Sequence, residues 1–259
     1  MSIKLLALNL NLLLLAGTPL SEASELEVMS SGGFSAAYRV LSREFSDETH
    51  IDVNTVFGAS MGGASTSIPS RLRRGEPADV VIMVSEGLEQ MIAEGYVVAS
   101  SRVDLASSLI GMAVRAGSAT PDISTRAAFE RTLVEAKSIA FSASASGTYL
   151  STILFPRLGL ADVLEAKSLR VGGERVGTVV ARGDAEIGFQ QVSELLPIEG
   201  IIYVGTIPDE VQKVTMFSAG ITTGAKNVEA AHALLEHLSS PVSAPVIAGT
   251  GMTPQSTGR

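Results

Sequence analysis

Four short stretches of the sequence gather Ser, Gly and Ala where apolar runs give way to helical patterns. They are SSGG (Ser30 to Gly33), GASMGGAS (Gly58 to Ser65), SASASG (Ser142 to Gly147) and GGERV (Gly172 to Val176). Glycine lets backbone N–H groups turn toward a ligand and serine hydroxyls donate beside them, so such loops at helix starts hold anions. Helix capping uses the same residues. One loop of this kind is therefore weak evidence, while four in one chain point to a shared anion site. The candidate binding residues are Ser30, Ser31, Gly32, Ser60, Met61, Ser144, Ser146, Gly147, Thr148 and Val176. Arg71 lies ahead of the helix-ending pair Arg73 and Arg74 and can reach a carboxylate. Arg175 falls in the first turn of a helix, where its charge opposes the dipole and a bound anion would account for it.

Other chemistries find little support. GASMG is a literal G-x-S-x-G around Ser60. The chain has only three histidines (His50, His232 and His237), however, and no oxyanion-type HGG ahead of the serine. No G-x-x-x-x-G-K-[S/T] is present, so a nucleotide site is not expected. No spacing of His and carboxylates suggests a metal, and no cofactor is expected. With no cysteine, disulfides and thiolate metal sites are excluded. Lys plus Arg number 19 against 27 Asp plus Glu, a net charge of −8, which argues against a nucleic-acid partner. An anion must be held by local groups, against the sign of the overall field.

The elements that would position these loops follow from hydrophobic pattern. The chain has 259 residues, 46% of them hydrophobic, enough for one large domain or two small ones. Residues 1–23 read as a secretory signal peptide: Lys4, an apolar run from Leu5 to Gly17, then Ser21 and Ala23 before the cut. The run is short of the roughly 20 residues a membrane span needs, and Asn9 and Asn11 interrupt it. The mature protein is expected in the periplasm and, lacking cysteine, without a lipid anchor. From Leu26 onward, strand-like runs such as ADVVIMV and KSIAFS alternate with helical ones such as FSAAYRVLSREFSDE and EGLEQMIAEG, which means an α/β fold with mostly parallel sheets. LEVMSSGGFSAAYRVLSREF and SIAFSASASGTYLSTILFPRL are built alike, which predicts two similar lobes. Residues 24–108 and 219–259 would form the first and 109–218 the second, with ASSLIGMAVRAG and QKVTMFSAGITTG as crossings.

FGAS…RGEPADVVI, SASASGTYLST…RLGL and ERVGTVVARGDAEIGF resemble, in this order, motifs of the periplasmic molybdate-binding proteins of ABC importers. The resemblance spans nearly all of the mature chain and implies the two-lobed periplasmic solute-binding fold with a hinged cleft. The departures concern the ligand. MSSGGF stands where that family has an Ala-Ala-Ser-Leu loop, and GFQQVSE puts Gln190 and Gln191 where it has an oxyanion-binding Tyr. Strand alternation would turn one of the two glutamines toward the cleft. More donors and a longer GASMGGAST loop suit an elongated di- or tricarboxylate. This divergent branch resembles bacterial aconitate isomerases, which implies an allylic proton shift between trans- and cis-aconitate without a cofactor. Glu174, Tyr149 and Glu194 are the candidate bases. The alternative is a non-catalytic binding protein, a monomer delivering molybdate or an organic carboxylate to an ABC importer.

The export reading predicts that protein recovered from the periplasm begins near Ser24 and carries no lipid. Edman sequencing and intact mass check this, and a functional protein that retains Met1 would refute it.

Overall fold

The structure, a computed structural model, describes residues 25–255; the expected signal peptide lies outside the described residues. In chain order, β1 (Glu25–Ser31) leads through a 3-10 turn at Gly32–Phe34 into α1 (Ser35–Thr49). Then come β2 (Asp52–Gly58), α2 (Ile68–Arg73), β3 (Val80–Val84), α3 (Ser85–Ala93) and β4 (Val103–Ser108). The chain crosses at Leu109 into β5 (Ile110–Arg115), α4 (Arg126–Glu135), β6 (Ile139–Ser142) and α5 (Ala145–Tyr149). A π-helical turn at Leu150–Leu154 joins α5 to α6 (Phe155–Arg157), followed by α7 (Ala161–Glu165) and β7 (Ser168–Val171). The second lobe is completed by α8 (Val176–Arg182), β8 (Ile187–Gln191), α9 (Val192–Leu195) and β9 (Ile201–Thr206). β10 (Thr215–Ile221), α10 (Val228–Ser239), α11 (Ala244–Gly249) and β11 (Thr253–Pro254) complete the chain.

Two sheets result, in the orders β11-β4-β10-β3-β1-β2 and β7-β6-β8-β5-β9. Period-2 alternation explains how each is covered on both faces. In the first, Val28, Val80, Ile82 and Val84 pack under α1 and α10, while Met29, Val81 and Met83 pack against α2 and α3. α1 meets its face with Ala37, Tyr38, Leu41 and Phe45, a helical spacing that Phe34 of the preceding turn continues. In the second, Ile139, Phe141 and Phe189 face α4 and the helix after β6, while Ala140 and Gly188 lie under α8. A Cβ at Gly188 would press on Val180 and Val176, so the small residue lets α8 sit close to the sheet.

The α/β, two-lobed class is as expected, but the sheets are mixed rather than mostly parallel. Four strand pairs are parallel and five antiparallel. The reason is topological. β5 and β10 enter their lobes from the crossing side, where the parallel strands end, and so must run against them. β10 joins the first sheet from Thr215, ahead of the boundary read at residue 219. Gln212 fastens the crossings to each other: its Oε1 accepts from the Ile110 N–H at 2.9 Å, and its Nε2 donates to the Ile110 and Ile207 carbonyls.

Asp79, buried at the start of β3, is the main polar tie in the first lobe. One carboxylate oxygen accepts from the Glu27 N–H at 2.8 Å, the other from the Lys226 and Asn227 N–H groups at 2.6 and 3.2 Å. It thereby joins β1 to the start of α10. Asp79→Ala would take the carboxylate from three part-buried backbone donors and should cost about 1–3 kcal/mol of stability. Urea unfolding checks this, the expectation being a lower midpoint at unchanged slope.

Candidate functional site

A cleft of about 700 Å3 opens between the lobes. The last residues of all six parallel strands line it: Ser31, Gly58, Val84, Ser142, Val171 and Gln191. Ligands collect at such ends because helix starts there present N–H groups with no helical partner. The cleft also takes residues from all four small-residue loops. In two of these loops the cap serine is not used by its own helix. Away from the cleft, Ser67, Thr125 and Asn227 each accept a hydrogen bond from their own helix. At the cleft, the cap residues Ser31, Ser144 and Arg175 make no such bond. Ser31 Oγ is buried with no hydrogen-bond partner among the described residues.

Of the residues singled out in the sequence, Ser31, Gly32, Ser60, Met61, Ser144, Ser146, Glu174, Arg175, Gln190, Gln191 and Glu194 line the cleft. The others do not. Ser30 is fully buried on the α1 side of β1. Arg71 is held at 2.6 Å by Glu76 at the end of α2. Gly147 is buried behind the loop, where a Cβ would run into the Ser142 carbonyl oxygen, and Thr148 follows it into the helix, its carbonyl accepting from Ser151 and Thr152. Val176, the first residue of α8, is buried against the second sheet and contributes only its N–H, to Gln190. Tyr149, a candidate base, lies in the second-lobe core, where its hydroxyl donates to the Val211 carbonyl at 3.0 Å. Both glutamines reach the cleft, rather than one, because β8 turns directly into α9 at Gln191. Gln191 Nε2 donates to Thr215 Oγ1, leaving its Oε1 buried and unpartnered. Ser60 Oγ accepts from the Val84 N–H at 3.0 Å, and none of the three histidines lines the cleft, so no nucleophile and base meet here.

Charge in the cleft is unequally committed. Arg39, Arg170 and Arg175 line it, and none forms an ion pair among the described residues. Arg39 lies 4.2 Å over the Phe57 ring, Arg170 reaches the Ala143 carbonyl at 3.5 Å, and Arg175 donates to Ser35 Oγ across the lobes at 3.1 Å. Arg39 and Arg170 escape sequence reading because one is a polar residue a turn into a helix and the other lies on β7, an edge strand too exposed to stand out. Of the two acids, exposed Glu174 is held by Arg182 at 2.7 Å, which keeps its carboxyl below the usual range. Glu194 is different. It sits at the start of α9 against Gly32, where a Cβ would lie 2.5 Å from its Oε1. Burial pushes its carboxyl up to about 7, against the opposing pull of Arg175 and of the Gln190 hydrogen bond. The cleft therefore offers N–H groups, hydroxyls, amides and three free guanidinium groups to an anion, beside one carboxyl that exchanges a proton near neutrality.

The model for bacterial extracellular solute-binding proteins matches residues 26–253. Aconitate isomerase from Pseudomonas sp is 46% identical over 254 residues, 97% of this chain and 97% of that protein. The molybdate-binding protein ModA of Azotobacter vinelandii is 26% identical over 239 residues, 89% of this chain and 90% of that protein. Among solved structures, the periplasmic molybdate-binding protein of Azotobacter vinelandii matches with a TM-score of 0.70 at 21% identity, covering 89% of this chain and 100% of that one. The sulfate-binding protein SubI from Mycobacterium tuberculosis gives 0.71 at 17%, covering 89% and 87%. These two structures speak to the fold alone.

The raised carboxyl has a consequence for stability. Folded Glu194 binds its proton more tightly than the unfolded chain does, so its ionisation opposes folding as pH rises from about 4.5 to about 7. Above that window the full cost is present, up to about 3 kcal/mol. Glu194→Gln should therefore melt higher than wild type at pH 8 and close to it at pH 4.5. Thermal unfolding at the two pH values checks this, and a difference independent of pH would contradict it.

Proposed function

The chain belongs to the bacterial extracellular solute-binding protein family, and we propose that its cleft converts a tricarboxylate rather than only carrying an anion, interconverting trans- and cis-aconitate. Its fold is the two-lobed one of periplasmic binding proteins. The reading is supported by 46% identity, over nearly the whole of both chains, with a protein named for that reaction. The observation that carries it is the carboxyl of Glu194 in a cleft otherwise made for anions. For pure binding, an acid at that place is a liability, since like charge and desolvation both oppose the ligand. For proton transfer it is what the chemistry requires, because a base works best with a pKa near the working pH.

The reaction moves a proton from the methylene carbon of aconitate to the vinyl carbon on the other side of the central one, and the double bond moves the opposite way. The carbanionic intermediate spreads its charge into the flanking carboxylates. Arg39, Arg170 and Arg175, with the loop N–H groups, are placed to neutralise that charge and to fix each carboxylate arm. Fixing the arms decides which double-bond geometry forms. The carrier alternative, an importer's binding protein for molybdate or a carboxylate, keeps the same fold but leaves Glu194 unexplained. The compartment follows the family: relatives of this fold are periplasmic binding proteins, and export by residues 1–23 as an unlipidated monomer completes the proposal.

Proton NMR of trans-aconitate with purified protein tests the reading. The vinyl signal of the trans isomer should fall as the cis signal grows, at a rate proportional to protein and with nothing else added. No turnover at any protein concentration would return the chain to the carrier role. In the same buffer trans-aconitate should raise the melting temperature by mass action while molybdate and tungstate leave it unchanged.

A further inference from the structure

We propose that Glu194 is the single acid–base group of the reaction, its Oε2 carrying the proton between the two allylic carbons, and that Gln190 is the positioning residue that aims it; both assignments rest on the aconitate reading above. The geometry is directional. The Val176 N–H donates to Gln190 Oε1 at 2.8 Å, so the amide can present only its NH2 group to Glu194. That group donates to Glu194 Oε1 at 2.9 Å. Oε1 is thereby fixed as an acceptor between Gln190 and Gly32, and Oε2 has no hydrogen-bond partner among the described residues. One oxygen anchors the carboxyl and the other is free to react.

The rivals are committed elsewhere. Glu174 is clamped by Arg182, the Tyr149 hydroxyl is bonded to the Val211 carbonyl, and His237 packs edge-on to Phe45 beneath α10. The charged group that acts on Glu194 is Arg175, at the start of α8. The other elements packed against α9 present neutral groups: Gln190 from β8, the apolar run Ile110 to Val114 of β5, backbone from the Gly32–Phe34 turn and Ser35 from α1, which is bonded to Arg175. Arg39 of α1 lies over Phe57.

The step balances without a co-reactant. Ionised Glu194 takes a proton from the methylene carbon, and the electron pair of that C–H bond delocalises through the central carbon toward the former vinyl carbon. The resulting carboxylic acid returns the proton there, so the double bond shifts and the carboxylate is regenerated. Nothing is oxidised, and no net proton is consumed. Because a carboxyl holds one proton at a time and this one is half-buried, with a bound substrate covering its cleft side, part of the hydrogen should pass directly from one carbon to the other.

The test uses the full mature chain. Glu194→Gln should lower kcat roughly 10²–10⁴-fold while trans-aconitate binds as tightly or more tightly, since a negative charge has been removed. In D2O, wild type should deliver product that retains a measurable share of the original protium. The wild-type kcat/KM should rise with pH through neutrality, and Gln190→Met, which removes the hydrogen bond that favours the ionised form, should move that rise to higher pH. If wild type turns over and Glu194→Gln keeps more than about a tenth of kcat, the assignment of Glu194 falls and the isomerase reading stands. If no protium is retained, a single enclosed carrier is wrong. An unmoved pH profile for Gln190→Met overturns its positioning role, and absence of wild-type turnover overturns both assignments together with the reading they rest on.

Discussion

Every parallel strand in the molecule ends facing the opposite lobe, and the rest of the structure is arranged around that constraint. Carboxyl ends carry the loops that start helices, so bringing six of them to one cleft concentrates backbone N–H groups in a space of about 700 Å3. The price is topological, because a chain that serves two such sheets must enter each from its ligand side. β5 and β10 do so as antiparallel strands, and Gln212 joins the two crossings where they pass. In the loop after β1 little but glycine fits. A side chain at Gly32 would strike Glu194, and one at Gly33 would strike the Phe217 ring.

Within the cleft three arginines are left without a carboxylate partner, while six others on the surface are paired. Arg71, Arg73, Arg74, Arg102, Arg126 and Arg182 are all bound to carboxylates on the surface. Exposed pairs of that sort add little stability, but they take those arginines out of competition for an anion. Arg39, Arg170 and Arg175, which have no carboxylate partner among the described residues, lie along one cavity in a molecule of net charge −8. Selectivity thus comes from placement, against the sign of the whole.

Sequence legibility followed burial. The buried strands β1, β3, β6 and β8 announce themselves as apolar runs, and α1 and α10 by helical spacing. β7 and the two-residue β11 do not, since their side chains face solvent and carry no periodic signal. The small-residue loops were visible because Gly and Ser have few other reasons to cluster. Glu194 could be named in the sequence but not separated from Glu174, because the two differ in surroundings: one meets Arg182 in solvent, the other lies walled between Gln190, Gly32 and the far lobe. Burial of a polar group is a property of the fold, and no local pattern encodes it.

The bond from Ser193 Oγ to the Gly33 carbonyl, at 2.6 Å, lies one residue from Glu194, next to the Arg175–Ser35 bond across the same gap. α9 is continuous with the second sheet and Gly33 with the first, so parting the lobes breaks both bonds and wets the Glu194 carboxyl. Shutting and protonation are therefore linked equilibria. Below about pH 4.5 the carboxyl is neutral in either arrangement; from there to about pH 7 shutting must draw a proton from solvent, and above that it must bury a charge. The two contacts across the gap and the state of one carboxyl are thereby bound into the same balance.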